Sequence, residues 1–144
     1  MRTIEKRFLR GPNLYSATPC LMAVVDAGGS DAAPGALASL PARLVALLPD
    51  MSPEASARLA SLRCAAEAVE PVVMELQRLA GAPADFSQTL EVARKPHVRR
   101  AVCGYRTEQV AGAALNLALD LIAALQAGEE FDLAAAVAGL REVA

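Results

Sequence analysis

The chain has 144 residues, of which 54% are hydrophobic and 21% are charged, and its formal net charge is −2. This balance is typical of one soluble globular domain and excludes a disordered chain. A near-neutral charge favours no polyanionic partner. Because only 3% of the residues are aromatic and tryptophan is absent, the chain also lacks the stacking surface of single-strand binders. We therefore expect no nucleic-acid partner.

The cysteines, the N-terminus and the most apolar segment indicate the cellular compartment of the protein. Cys20, Cys64 and Cys103 are odd in number and have no CxxC spacing, which favours buried thiols in a reducing compartment. The N-terminus carries charge where a secretory leader is apolar. Residues 110–125 are interrupted by Asn116 and Asp120, which argues against a membrane span. The expectation is a cytoplasmic protein without membrane contact.

The first third of the chain predicts two strands and a helix. Residues 3–10 and 20–25 are β-rich, and the segment Gly11-Pro12-Asn13 between them is a turn signal. A loop rich in Gly, Ala, Ser and Asp covers residues 26–36. Pro34–Leu48 then carries leucines three and four residues apart, which indicates a helix.

A long helix is predicted next, from the capping hydroxyl of Ser52 to a stop at Gly81. Pro53 suits the first helical position, and apolar residues recur at three- and four-residue spacing. Pro71 lies inside this run, so we expect it to kink the helix at a cost of about 3 kcal/mol.

The second half predicts a hairpin followed by two helices. Residues 86–105 alternate with period two around a Lys95-Pro96 turn. A helix follows over residues 107–126, and Asp132 caps a shorter one that still runs at the end of the sequence. This ending suggests a boundary before a further domain, with a natural terminus as the alternative. The order ββααββαα predicts an α+β fold, a small single domain over residues 1–144 with short antiparallel strands packed against long helices.

Several segments resemble, in the right order, the N-terminal domain of cyanophycin synthetases. Residues 7–16 resemble its LRGPN motif followed by an aromatic residue and Ser, and residues 75–81 resemble its ELQ-LAG segment. Tyr105-Arg106-Thr107-Glu108 resembles its Tyr-x-x-Glu entry to a long helix. Residues 44–49 and 129–141 are also similar, so the resemblance extends over nearly the whole chain.

The resemblance implies a part in the synthesis of cyanophycin, multi-L-arginyl-poly-L-aspartate. The family joins Asp and Arg with an ATP-grasp domain and a Mur-ligase-like domain, and neither lies in these residues. ATP and Mg are therefore expected only in the missing domains, and this chain has no GxxxxGK[ST] phosphate loop. The implied partners are the polymer and those two domains. A homo-oligomer is also expected, because the many alanines allow helices to approach closely.

In some family members this domain resembles a metal-dependent hydrolase with an HxxEH motif just before the ELQ-LAG segment. On this chain the three motif positions fall on Glu67, Glu70 and Pro71. Proline has no donor and zinc prefers His and Cys, so we expect no metal and an ion cluster of Arg63, Glu67 and Glu70 instead. Two alternatives stay open, a metal site rebuilt around the glutamates and a solvated helix face with weak ion pairs.

Basic residues crowd the first strand and the second hairpin, with no acidic residue between positions 94 and 106. If both strand pairs share a sheet, they form a positive surface for polymer carboxylates or a neighbouring domain. The alternative is two solvated edges whose charges prevent edge pairing. Nucleic acid is a weaker reading, because no aromatic residues are interleaved. The candidate polymer-binding residues are Arg10, Tyr15, Arg94, Lys95, Arg99, Arg100 and Arg106.

His97, the single histidine, follows Pro96 at the predicted turn and is expected to be exposed there. A catalytic dyad with Cys103 is the alternative, although no third orienting group is identifiable. No catalytic residue is assigned.

The leading hypothesis is a non-catalytic polymer-binding or scaffolding domain, which holds the growing chain near the ligase sites and raises its effective concentration. A metal-dependent cyanophycin hydrolase with a rebuilt site and a purely structural oligomerisation module are the alternatives. Whether the domain is itself an enzyme stays open.

Overall fold

One antiparallel sheet of four strands organises the described part of the chain. The computed structural model describes residues 1–31 and 35–144, so the predicted helix start at Pro34 lies outside the described residues. In chain order the strands are β1 (Arg2–Leu9), β2 (Cys20–Asp26), β3 (Ser87–Glu91) and β4 (Val98–Gly104). In space their order is β1-β2-β4-β3. Both predicted strand pairs therefore share one sheet.

The helices pack against one face of this sheet. They are α1 (Ala36–Leu47), α2 (Pro53–Ala60), α3 (Val69–Leu79), α4 (Glu108–Gln126) and α5 (Leu133–Val143), with short 3-10 turns at Gly28–Asp31 and Ala65–Ala68. The main core joins them to alternate residues of the central strands, such as Leu21 and Cys103. The predicted α+β fold is confirmed.

The other face of the sheet has a small apolar cluster of its own. Met22 and Val102 lie at its centre, and the partly buried side chains of Tyr15, Phe86 and Val92 pack against it. Because Met22 is only 6% exposed, side chains and loops already cover this face without a second helix layer.

The single long helix predicted over residues 52–81 is wrong. Helix α2 ends at Ala60, the chain turns through residues 61–68, and α3 starts at Val69. Pro71 is the third residue of α3, where the backbone N–H would have no partner inside the helix. A proline in this first turn therefore removes no hydrogen bond and does not kink the helix.

Helix α4 is long and apolar enough to cross a membrane by length and composition, and 44% of the most apolar window is buried inside the protein. It contacts α1, α3, α5 and β2. Thr107 caps its first turn by accepting the N–H of Val110 at 3.3 Å. Its apolar stripe therefore belongs to the core of this fold.

Candidate binding groove

A groove opens between the α2–α3 connection and the edge strand β3, with a volume of about 300 Å³. It continues into a second hollow around the β3–β4 turn, and Arg63, Glu91 and Arg99 line both parts. We call the two parts together the groove. The remaining lining residues are Arg58, Ser61, Leu62, Glu67 and Thr89 in the first part, and Val92, Ala93, Arg94, Lys95, Pro96 and His97 in the second.

Behind the groove wall, Glu70 is fully buried and is paired with Arg58 from the last turn of α2. Arg58 Nη1 donates to Glu70 Oε1 at 3.1 Å, and Arg58 Nη2 lies 2.7 Å from Oε2. The Arg58 side chain is 45% exposed, so this pair joins a buried carboxylate to a guanidinium that reaches solvent. It fastens α2 to the start of α3.

Glu67 lies on the 3-10 turn before α3 and contacts two arginines. Its Oε1 accepts the backbone N–H of Arg63 at 2.6 Å, and its Oε2 lies 3.4 Å from Arg63 Nη2 and 3.5 Å from Arg99 Nε. Burial raises the pKa of Glu67, but the Arg63 hydrogen bonds and the Arg99 charge outweigh it, so the pKa lies below its usual value. Glu67 is therefore ionised at neutral pH.

The predicted ion cluster is thus correct for one pair and wrong for the other. Arg63 pairs with Glu67 and also with Glu91 at the end of β3, whereas Glu70 takes Arg58. The alternative of a solvated helix face is also wrong, because Glu70 is fully buried. The reason is the break between α2 and α3, which folds α2 back so that Arg58 reaches Glu70.

These positions do not fit the metal of the HxxEH motif. Pro71 is buried and offers no donor, and the Glu70 carboxylate already pairs with a guanidinium. Within residues 1–31 and 35–144, no three His, Cys, Asp or Glu side chains converge as a metal site would require.

The candidate basic residues do not form one surface. Arg99 faces the helices and is 5% exposed, whereas Arg100, next to Val24 on β2, lies on the opposite face of the sheet. Because side chains of successive strand residues point to opposite faces, the sequence already predicts that Arg99 and Arg100 lie on different faces of the sheet. Arg94 and Lys95, at the β3–β4 turn, are exposed and line the groove.

Arg10, Tyr15 and Arg106 lie at the other end of the sheet. Leu9 pairs with Cys20 and Cys20 pairs with Gly104, so the loop after β1 and the segment after β4 share that end. The length of β4 separates it from the β3–β4 turn by roughly 20 Å. Tyr15 packs on the apolar cluster of the outer face instead of facing the groove.

His97 and Cys103 are not brought together. His97 is exposed before β4 begins, as expected, while Cys103 is buried near the far end of that strand. Burial raises the pKa of Cys103 well above its usual value, and it also raises the pKa values of Cys20 and Cys64. Since the thiolate is the reactive form, none of the three is an activated nucleophile.

The sequence pattern does not indicate two residues that line the groove and form ion pairs there, Arg58 and Glu91. Arg58 lies 12 residues before its partner and Glu91 lies 28 residues after Arg63. Helical spacing connects neither pair. A hairpin with its turn at Lys95-Pro96 places Glu91 opposite Arg99 on the neighbouring strand. This pairing could have indicated from the sequence that Glu91 lies near the basic residues.

The lowered pKa of Glu67 makes the stability contribution of this residue depend on pH. That contribution is complete above the usual value of 4.5 and is lost as the pH falls through the lower pKa of the folded state. We therefore expect Glu67→Gln to lower the free energy of unfolding at pH 7, and the deficit to shrink below pH 4.5.

Urea unfolding of both proteins from pH 3 to pH 7 measures this difference. Glu130→Gln, at an exposed position after α4, is the control and should change stability by less than about 0.5 kcal/mol at any pH. A deficit for Glu67→Gln that persists unchanged at pH 3 would contradict the assignment.

The family is shown by comparison with known domains. The model of the cyanophycin synthase-like N-terminal domain matches residues 23–127, which is most of the chain, and no curated protein matches it. The resembling segments at 44–49, 75–81 and 105–108 lie within the match, and those at 7–16 and 129–141 lie outside it. The chain belongs to the cyanophycin synthase-like N-terminal domain family, and it is thereby associated with cyanophycin synthesis.

Proposed function

We propose that this domain binds the Asp/Arg polymer in the groove and does not cleave it. One observation carries the proposal. Where the hydrolase motif would hold a metal, the chain has an Arg–Glu network, and its members Arg58, Arg63, Glu67 and Arg99 line a groove that continues to the basic β3–β4 turn.

The charges of the groove suit such a ligand. Each repeat of multi-L-arginyl-poly-L-aspartate carries one guanidinium and one carboxylate. The groove offers both signs, with carboxylates at Glu67 and Glu91 and cations at Arg58, Arg99 and Lys95. Charge-assisted hydrogen bonds between opposite groups are the stronger kind, and complementary charges give specificity.

The same geometry argues against hydrolysis. Glu70 is paired with Arg58, Glu67 is held by two arginines, and burial raises the pKa values of the three thiols. A domain that only holds polymer serves synthesis by keeping the chain near the ATP-grasp and Mur-ligase-like sites, which raises its effective concentration. Those domains are its proposed partners.

Sedimentation with insoluble cyanophycin tests the proposal. We expect the wild-type domain to sediment with the polymer, and Arg94→Ala/Lys95→Ala to weaken binding roughly fivefold to tenfold, as loss of two partly exposed charge contacts implies. The matched control is Arg2→Ala/Lys6→Ala, which removes the same two charge types from exposed positions on β1.

The assay is run with zinc and with chelator, and the supernatant is analysed for soluble fragments. Equal weakening by both double variants would mean non-specific charge attraction, and no sedimentation at all would favour the purely structural module. Chelator-sensitive release of fragments would favour the hydrolase with a rebuilt site.

A further inference from the structure

We propose that Glu67 and Glu91 form a guanidinium subsite, and that the Arg63 side chain of the same chain occupies it when no ligand is bound. The ligand is an arginine residue with a free carboxylate, whose guanidinium displaces Arg63. This inference rests on the proposed function in one respect only, which is that the arginine residues of the polymer are named as the natural ligand.

The first observation is the convergence of two carboxylates on one guanidinium. Glu67 comes from the turn before α3 and Glu91 from the end of β3, and Arg63 Nη2 contacts both carboxylates. Arg63 is 65% exposed and Glu91 is 63% exposed, so these contacts exchange with water readily. The pair of carboxylates holds Arg63 as it would hold the guanidinium of a ligand.

The second observation is the buried guanidinium of Arg99 beside this pair. Its Nη1 donates to the carbonyl oxygens of Pro96 and Val98, both at 2.9 Å, but its buried Nε has no hydrogen-bond partner. Arg99 lines both parts of the groove, and its Nε lies 3.5 Å from Glu67 Oε2. The guanidinium of Arg99 therefore places a buried positive charge beside the two carboxylates, and that charge would attract the carboxylate of a ligand in the groove.

Together these groups recognise both charged ends of an arginine residue, its guanidinium at Glu67 and Glu91 and its carboxylate at Arg99. A planar guanidinium bonds to two carboxylates at fixed angles, which a lysine ammonium does not reproduce. The ligand carboxylate then lies against Arg99. Arg63 competes for the same carboxylates, so the chain limits its own affinity for the ligand.

Nuclear magnetic resonance titration with Nα-acetyl-L-arginine tests this subsite, read on the backbone amides of Glu67, Glu91 and Arg99. Because Arg63 holds its carboxylates through exposed pairs, we expect Arg63→Ala to bind the probe about threefold to tenfold more tightly. Adding Glu91→Gln should remove that gain. Nα-acetyl-citrulline, which lacks the positive charge, and Nα-acetyl-argininamide, which lacks the carboxylate, should bind more weakly than the probe.

Arg7→Ala, which removes an exposed arginine from β1, is the control and should leave the affinity unchanged. Arg63→Gln serves in place of the alanine variant if the latter unfolds. Equal or weaker binding of the probe by both Arg63 variants would overturn the subsite. Polymer sedimentation is measured in parallel. Tighter probe binding without sedimentation would keep the subsite and refute the proposed function, whereas sedimentation without tighter probe binding would refute only the subsite.

Discussion

Replacing Arg58 with alanine is expected to lower the free energy of unfolding by about 3 kcal/mol. The variant leaves the fully buried carboxylate of Glu70 without its guanidinium, which lies 2.7 Å away in the native protein. Removing one member of a buried ion pair is costly because the remaining charge has been taken out of water without compensation.

Urea denaturation at pH 7 measures this effect against Arg7→Ala. Arg7 Nε lies 2.8 Å from Glu5 Oε1, but both side chains are well exposed, so the control should lose less than about 1 kcal/mol. The double variant Arg58→Met/Glu70→Leu should recover much of the loss, because it removes the unpaired charge. If Arg58→Ala behaves like the control, water reaches Glu70 and the pair contributes little.

Replacing Gly11 with alanine is expected to destabilise the protein by about 2–3 kcal/mol. A Cβ at this position would lie 2.4 Å from the carbonyl oxygen of Ala17 and 2.8 Å from backbone atoms of Thr18. These backbone atoms cannot move easily, because the Asn13 side chain ties the loop together. It donates to the carbonyl oxygens of Arg10 and Thr18 and accepts from the N–H groups of Tyr15 and Ser16.

Thermal unfolding of Gly11→Ala, compared with that of Gly139→Ala, tests whether the backbone of Ala17 and Thr18 leaves no room for a side chain at Gly11. Gly139 lies in α5 with no atom within 4 Å of an added Cβ, so alanine there should stabilise by up to about 1 kcal/mol through helix propensity. Two variants with the same chemical change should thus shift the melting temperature in opposite directions. Equal shifts would show that the loop relaxes around the new methyl group.

The segments that carried the family resemblance hold the fold together. Asn13 of the opening motif ties its loop, and Gln77 of the ELQ-LAG segment is fully buried and donates to the carbonyl oxygen of Gly104 at 3.1 Å. Thr107 of the third segment caps α4. Gln77 thus joins α3 to β4, whereas Asn13 and Thr107 stabilise a loop and a helix start, so all three residues contribute to the fold.

The sequence by itself determined the four strands, most of the helices and the α+β class. Local signals suffice for these, since strands follow from alternation and helices from caps such as Ser52, Thr107 and Asp132. The long helix failed because periodicity continues across the break at residues 61–68. A proline inside a periodic run is equally compatible with a kink and with a new first turn.

Only the tertiary structure decided which charges meet. The partner of Glu70 depends on how α2 folds back, and the Arg63–Glu91 contact depends on where the edge strand β3 lies beside the α2–α3 connection. The strand order placed Arg10 and Arg94 at opposite ends of the sheet. Ion pairs between residues distant in the chain are set by packing of the apolar core, and charge patterns along the sequence contain no record of that packing.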